Sequence, residues 1–119
     1  MKYENLEFEN YCEHLLDNQI RNNVNTSTFQ YTNKVGATFN ICKWSNYLKL
    51  KGYKICIICK SNNQCKYIKS KTIKGIFIST NEEIIKGLEY DFVFIDNVII
   101  ENFHYISSKF IIQLLKSNN

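Results

Sequence analysis

Apolar residues in this chain change period repeatedly. Leu6, Tyr11, Leu15, Leu16 and Ile20 recur near helical spacing behind several acids, which predicts an amphipathic helix over 4–22. Residues 26–32 (Thr-Ser-Thr-Phe-Gln-Tyr-Thr) are β-rich and read as a strand feeding a glycine turn. A helix over 38–51 follows, with Phe39, Ile41, Cys42, Tyr47, Leu48 and Leu50 on one broad face and Gly52 as its stop. The apolar run 54–59 has the unbroken character of a strand buried on both faces of a parallel sheet. A short helix over 62–70 and a strand over 73–79 come next. Thr80-Asn81-Glu82-Glu83 matches a helix-capping box and opens a helix ending near Gly87. Residues 91–96 read as another strand, and 107–116 as a last helix with Phe110, Ile111, Leu114 and Leu115 apolar. Strands alternating with helices predict a three-layer α/β fold with a mainly parallel sheet of about four or five strands. Its ligand cleft is expected at the carboxyl ends of the strands.

Composition narrows the class. The chain has 119 residues, room for one ordinary core, and is read as a single domain: a helix at 4–22, then a core over 26–116. Hydrophobic residues make up 45% and charged residues 22%, which is globular rather than disordered composition. No apolar run reaches membrane-span length and the start has no signal-peptide shape, so a soluble, intracellular protein without a membrane partner is expected. Five cysteines without a secretory signal favour reduced thiols over a disulfide framework. Cys56 and Cys59 have a metal-pair spacing but sit in a strand, where positions three apart face opposite ways. His14 and His104 are far apart in sequence and read as surface or core histidines; His104, soon after the acidic strand, could face the site.

Charge is segregated. Between Asn18 and Asn81 there is no acid, but eleven lysines and arginines. A basic segment over 34–74 interleaved with Trp44, Tyr47, Tyr53 and Tyr67 suits a nucleic acid such as DNA, with phosphates on the lysines and bases on the rings. A solvated lysine face with its aromatics turned inward has the same composition.

Two segments about sixty residues apart carry the candidate chemistry. A full phosphate loop reads Gly, four residues, Gly-Lys-Ser/Thr: its amides cradle phosphate, its lysine neutralises the outer oxygens and its hydroxyl ligates magnesium. Here the eight residues run from Tyr31 to Thr38; Gly36 and Thr38 survive, Tyr31 replaces the first glycine and Ala37 the lysine. Lys34, two residues before the glycine, is placed to supply charge from the other side of the loop, with Val35 between them. A plain strand-to-helix turn has the same pattern. The second segment, Phe92-Val93-Phe94-Ile95-Asp96, brings an acid to the tip of a buried strand, where a phosphoryl-transfer site holds magnesium. Asn97 stands where a water-orienting glutamate is common; an amide can position water but cannot take its proton. Glu101 is the nearest downstream acid. An aspartate capping the next turn is the bland alternative for Asp96.

The order Lys34-Val35-Gly36-Ala37-Thr38, helix, apolar strand 54–59, Lys86-Gly87 through Asp96-Asn97, then Asn102-Phe103-His104, resembles the ATPase domain of phage and viral large terminase subunits, the DNA-packaging motors. The resemblance spans roughly residues 26–115 and implies a P-loop NTPase fold of helicase-like layout. It implies ATP and Mg2+ as ligands. Lys34 becomes the counterpart of a loop lysine moved forward, Lys34, Val35, Gly36, Ala37 and Thr38 the phosphate-binding segment, Thr38 and Asp96 the magnesium contacts, and Asp96 with Asn97 the catalytic pair. Asn97 departs from the family's glutamate, and a complete motor with its coupling motif and nuclease exceeds this length. The resemblance therefore implies a pared-down or degenerate ATPase that binds ATP with weak or no hydrolysis. It further implies DNA and other copies or packaging subunits as partners, in the host cytoplasm if viral. The competing expectation is a non-catalytic nucleic-acid-binding or assembly protein that works through its basic middle.

Overall fold

The computed structural model describes residues 6–31, 36–80, 87–100 and 106–116. Its elements are α1 (Leu6–Arg21), β1 (Thr26–Tyr31), α2 (Ala37–Leu50), β2 (Ile55–Ile58), α3 (Asn62–Lys71), β3 (Phe77–Ser79), β4 (Glu89–Asp96) and β5 (Ser107–Lys116). The five strands form one sheet in the order β1-β5-β4-β2-β3. Every pairing is parallel. The fold is thus α/β with a parallel sheet and flanking helices, compatible with the P-loop type.

Alternation along each strand sorts its side chains onto two faces. Phe29, Ile55, Ile57, Phe92, Phe94, Phe110, Ile112 and Leu114 pack with Leu16 of α1, with Ile41, Trp44 and Leu48 of α2, and with Ile68 of α3. The opposite face buries Cys56, Ile58, Val93, Ile95 and Ile111 against Ile100 and Ile106. Phe92 stacks on both Phe94 and Phe110, with ring centroids 6.4 and 5.2 Å apart. Cys56 and Cys59 lie in different cores, as the strand period requires.

Three sequence expectations need correction. The segment 107–116 is a strand, not a helix: β5 lies between β1 and β4 and pairs with both. Its run Phe110 to Leu114 is buried throughout, and a strand enclosed on both faces loses the alternation that would distinguish it from a buried helix. In α2 the buried residues are Ala37, Asn40, Ile41, Cys42, Trp44, Ser45 and Leu48, so Ile41, Cys42 and Leu48 lie on the face expected. Phe39, Tyr47 and Leu50, expected on that face, are exposed. On α1 Leu16 and Gln19 are buried whereas Ile20 is exposed; the Gln19 amide donates to the carbonyls of Asn25 and Ile111 at 3.0 and 3.2 Å, tying the helix to the sheet. The helix expected after the capping box at Thr80 falls at 81–86, outside the described residues.

Truncating Phe94, fully buried between Phe92 and Trp44, is expected to cost about 3–5 kcal/mol. Leu50→Ala on the exposed end of α2 should stay within about 0.5 kcal/mol. Urea unfolding of the two variants checks this ordering.

Candidate functional site

Because all strands run the same way, the loops that follow β1, β2 and β4 emerge on one rim. β1 and β4 are separated by β5, about 10 Å at two strand spacings. The chain leaving β1 at Tyr31 must cross that gap to begin α2. It does so through Gly36, the N-cap of α2, at φ 77 and ψ 35 in the left-handed region that favours glycine. The Gly36 carbonyl accepts from the Asn40 backbone N–H at 2.9 Å and from its side-chain amide at 3.0 Å. Among the described residues no side chain caps this end, and no acid lies in the first turn of α2, whose leading amides are left for another partner.

Two residues into the helix, the Thr38 hydroxyl donates to Asp96 Oδ2 at 2.5 Å. The glycine corner and the acidic strand tip therefore meet. Asp96 is 1% exposed. A third residue, unforeseen from the sequence, completes the cluster: Gln64 Nε2 donates to the same Asp96 Oδ2 at 2.8 Å and lies 3.5 Å from Thr38 Oγ1. Gln64 is placed by the start of α3. Ser61 caps that helix by accepting the Gln64 N–H at 3.2 Å, and Gln64 Oε1 accepts the Lys60 N–H at 2.9 Å. Ser61-Asn62-Asn63-Gln64 has the spacing of a capping box, a signal that would have fixed Gln64 in the first turn above β2. What no pattern announces is that the free end of its amide reaches Asp96.

The described partners of the Asp96 carboxylate are thus a hydroxyl and an amide, both neutral. Burial pushes its pKa up, and the Thr38 hydrogen bond works in the opposite direction. Burial, and then the Asp96 charge, raise Tyr31 to about 12 and Cys42 to about 11. Burial likewise raises Cys59, with a hydrogen bond to Cys65 adding to it. Protonated thiols are poor nucleophiles, so neither Cys42 nor Cys59 is activated for covalent chemistry.

The other sequence candidates are placed as follows. Ala37 turns its methyl into the core, so it offers the rim only its backbone. Asn97 has φ 54, a conformation asparagine tolerates better than glutamate. Its backbone N–H donates to the Leu114 carbonyl at 2.7 Å, and its Oδ1 accepts the Lys116 N–H at 3.0 Å, fastening β4 to β5. Lys34, Val35, Glu101 and His104 lie outside the described residues. His14 is exposed on α1, 3.4 Å from the Asn18 amide.

Among the described residues no three of His, Cys, Asp and Glu gather to hold a metal. Magnesium does not need such a group: it takes one or two protein oxygens and completes its octahedron with water and phosphate. A hydroxyl and a buried carboxylate in contact are hard oxygen donors that fit this ion. Two cavities, of about 540 and 500 Å³, lie elsewhere, at the amino ends of β4 and β5 and between α1 and α2. Both are remote from the Thr38–Asp96 contact, which is a rim feature between loops.

Comparison with protein-family models finds no match, and comparisons with the curated proteins and with the solved structures find none.

Asp96 also fixes a pH dependence. Its folded pKa lies above its unfolded value, so its contribution is stabilising at pH below the unfolded value and is lost as pH rises through the folded one. Asp96→Asn keeps an acceptor for Thr38 and Gln64 without the charge. Denaturant unfolding at several pH values should show it equal to wild type near pH 3 and increasingly the more stable toward pH 8.

Proposed function

We propose that this chain binds a magnesium nucleoside triphosphate, ATP on the family resemblance, at the rim where α2, α3 and β4 meet. The observation that carries the reading is the contact of Thr38 on Asp96, which joins a helix N-terminus behind a left-handed glycine to a buried carboxylate whose described partners are neutral. The first half suits phosphate oxygens, the second a divalent cation, and a nucleotide with its ion brings both together. The amides of the first turn of α2 receive phosphate, and Lys34 supplies charge at the loop's front. Thr38 Oγ1 and Asp96 Oδ2 hold the ion, whose part is to neutralise Asp96 and the phosphates.

Among the described residues little prepares water to attack. Asn97 lacks a basic group, and its carbonyl oxygen is engaged by the Lys116 N–H. The reading is therefore binding with weak or absent hydrolysis, a pared-down relative of the packaging ATPases. Magnesium-dependent ATP binding, measured by calorimetry, is expected for the wild type. Thr38→Val should weaken it by about tenfold or more and Asp96→Ala should abolish it, the scale of losing a ligand to a charged group. ATP binding indifferent to both changes would rule out this site.

A second reading has its own observation. Tyr47, Tyr53 and Tyr67 are exposed. Lys51 and Lys71 lie over the Tyr47 and Tyr67 rings at 4.8 and 5.8 Å. Lysines beside open rings suit single-stranded nucleic acid, which stacks bases and pairs phosphates. Salt-sensitive DNA binding in the same preparation, lost on Tyr67→Ala and unchanged by Asp96→Ala, would favour it.

A further inference from the structure

We propose that Gln64 is a gate for the cation seat: its side-chain amide competes with a divalent ion for Asp96 and Thr38, so the ion enters only as that amide turns away. The inference rests on the nucleotide-site reading above and adds a residue to it. Three contacts carry it. Gln64 Nε2 stands 2.8 Å from Asp96 Oδ2 and 3.5 Å from Thr38 Oγ1, against both oxygens that a cation would have to reach. The amide's orientation is fixed by its other end, because Oε1 accepts the Lys60 N–H at 2.9 Å and only an oxygen can take that bond. The end that faces the carboxylate is therefore the N–H2, whose hydrogens carry the same sign as the ion.

The two donors on Asp96 differ in what they can do when a cation arrives. Thr38 can go on donating its hydrogen to Asp96 while an oxygen lone pair faces the metal. The Gln64 amide nitrogen has no lone pair to offer, so its contact must break. Turning the amide over would bring Oε1 toward Thr38 and Asp96 as a further oxygen, at the expense of the Lys60 hydrogen bond. Lys60 directly precedes the Ser61 cap of α3, the helix that carries Lys66, Lys69 and Lys71. Occupation of the rim is thereby felt at the start of the basic helix.

The test titrates Mn2+ alone into the full chain, reading free Mn2+ by electron paramagnetic resonance, for wild type, Gln64→Ala, Gln64→Glu and Asp96→Ala. Gln64→Met, which keeps length and packing without the donor, repeats the measurement if Gln64→Ala does not fold. Removing the competing donor should tighten Mn2+ by about tenfold, the worth of one hydrogen bond to a charged group. Gln64→Glu should tighten it further by replacing a donor with an oxygen ligand. Adding Asp96→Ala should erase both gains. Binding that needs Asp96 but is unchanged or weaker without the Gln64 amide overturns the gate and leaves the nucleotide site standing. Absence of Asp96-dependent Mn2+ binding in wild type and in every Gln64 variant overturns both.

Discussion

The hydrogen bond from Thr38 to Asp96 is the contact on which the rim depends. It exists because a parallel sheet puts all its strand ends on one side, and because β5 stands between β1 and β4. The chain after β1 has to bridge that strand, and the left-handed turn at Gly36 brings the first turn of α2 down onto the tip of β4. α3 arrives from the other side with Gln64. Three loops that are far apart in sequence thus share one carboxylate oxygen.

Such an arrangement is costly for the fold. A carboxylate with 1% of its surface exposed, served by neutral donors, is held against its solvation preference. The packing beneath it offsets that cost: Phe92, Phe94 and Phe110 stack in the helix-side core, while Val93, Ile95 and Ile111 fill the other face. A core this continuous tolerates one strained polar position at its edge, which is where functional groups break the ordinary rules of burial. Cation binding would relieve the strain directly.

The sequence discloses the sheet better than its edges and ends. Residues 54–59 and 91–96 are short, apolar and β-rich, and both are central strands. Residues 110–114 are equally buried, but the run 107–116, with leucines near its end, matches a helix as well as a strand, and only the pairing with β1 and β4 decides it. Gly36, Thr38 and Asp96 could be picked out because a positive φ, a hydroxyl and a strand-tip acid each leave a type-specific mark. Gln64 left only the capping-box spacing that sets it in the first turn of α3; its contact to Asp96 is long-range and left no mark. Asn97 carries a feature its place beside the acid does not announce: its φ of 54 and its bond to the Lys116 N–H give it a structural task at the end of β4.

The most direct measurement is a crystal structure of the protein grown with Mg2+ and a non-hydrolysable ATP analogue. The account predicts the ion bound at Thr38 Oγ1 and Asp96, phosphate oxygens on the leading amides of α2, and the Gln64 amide turned from the carboxylate. Nucleotide bound at any other edge of the sheet, with the Thr38–Asp96–Gln64 cluster unaltered, would contradict it.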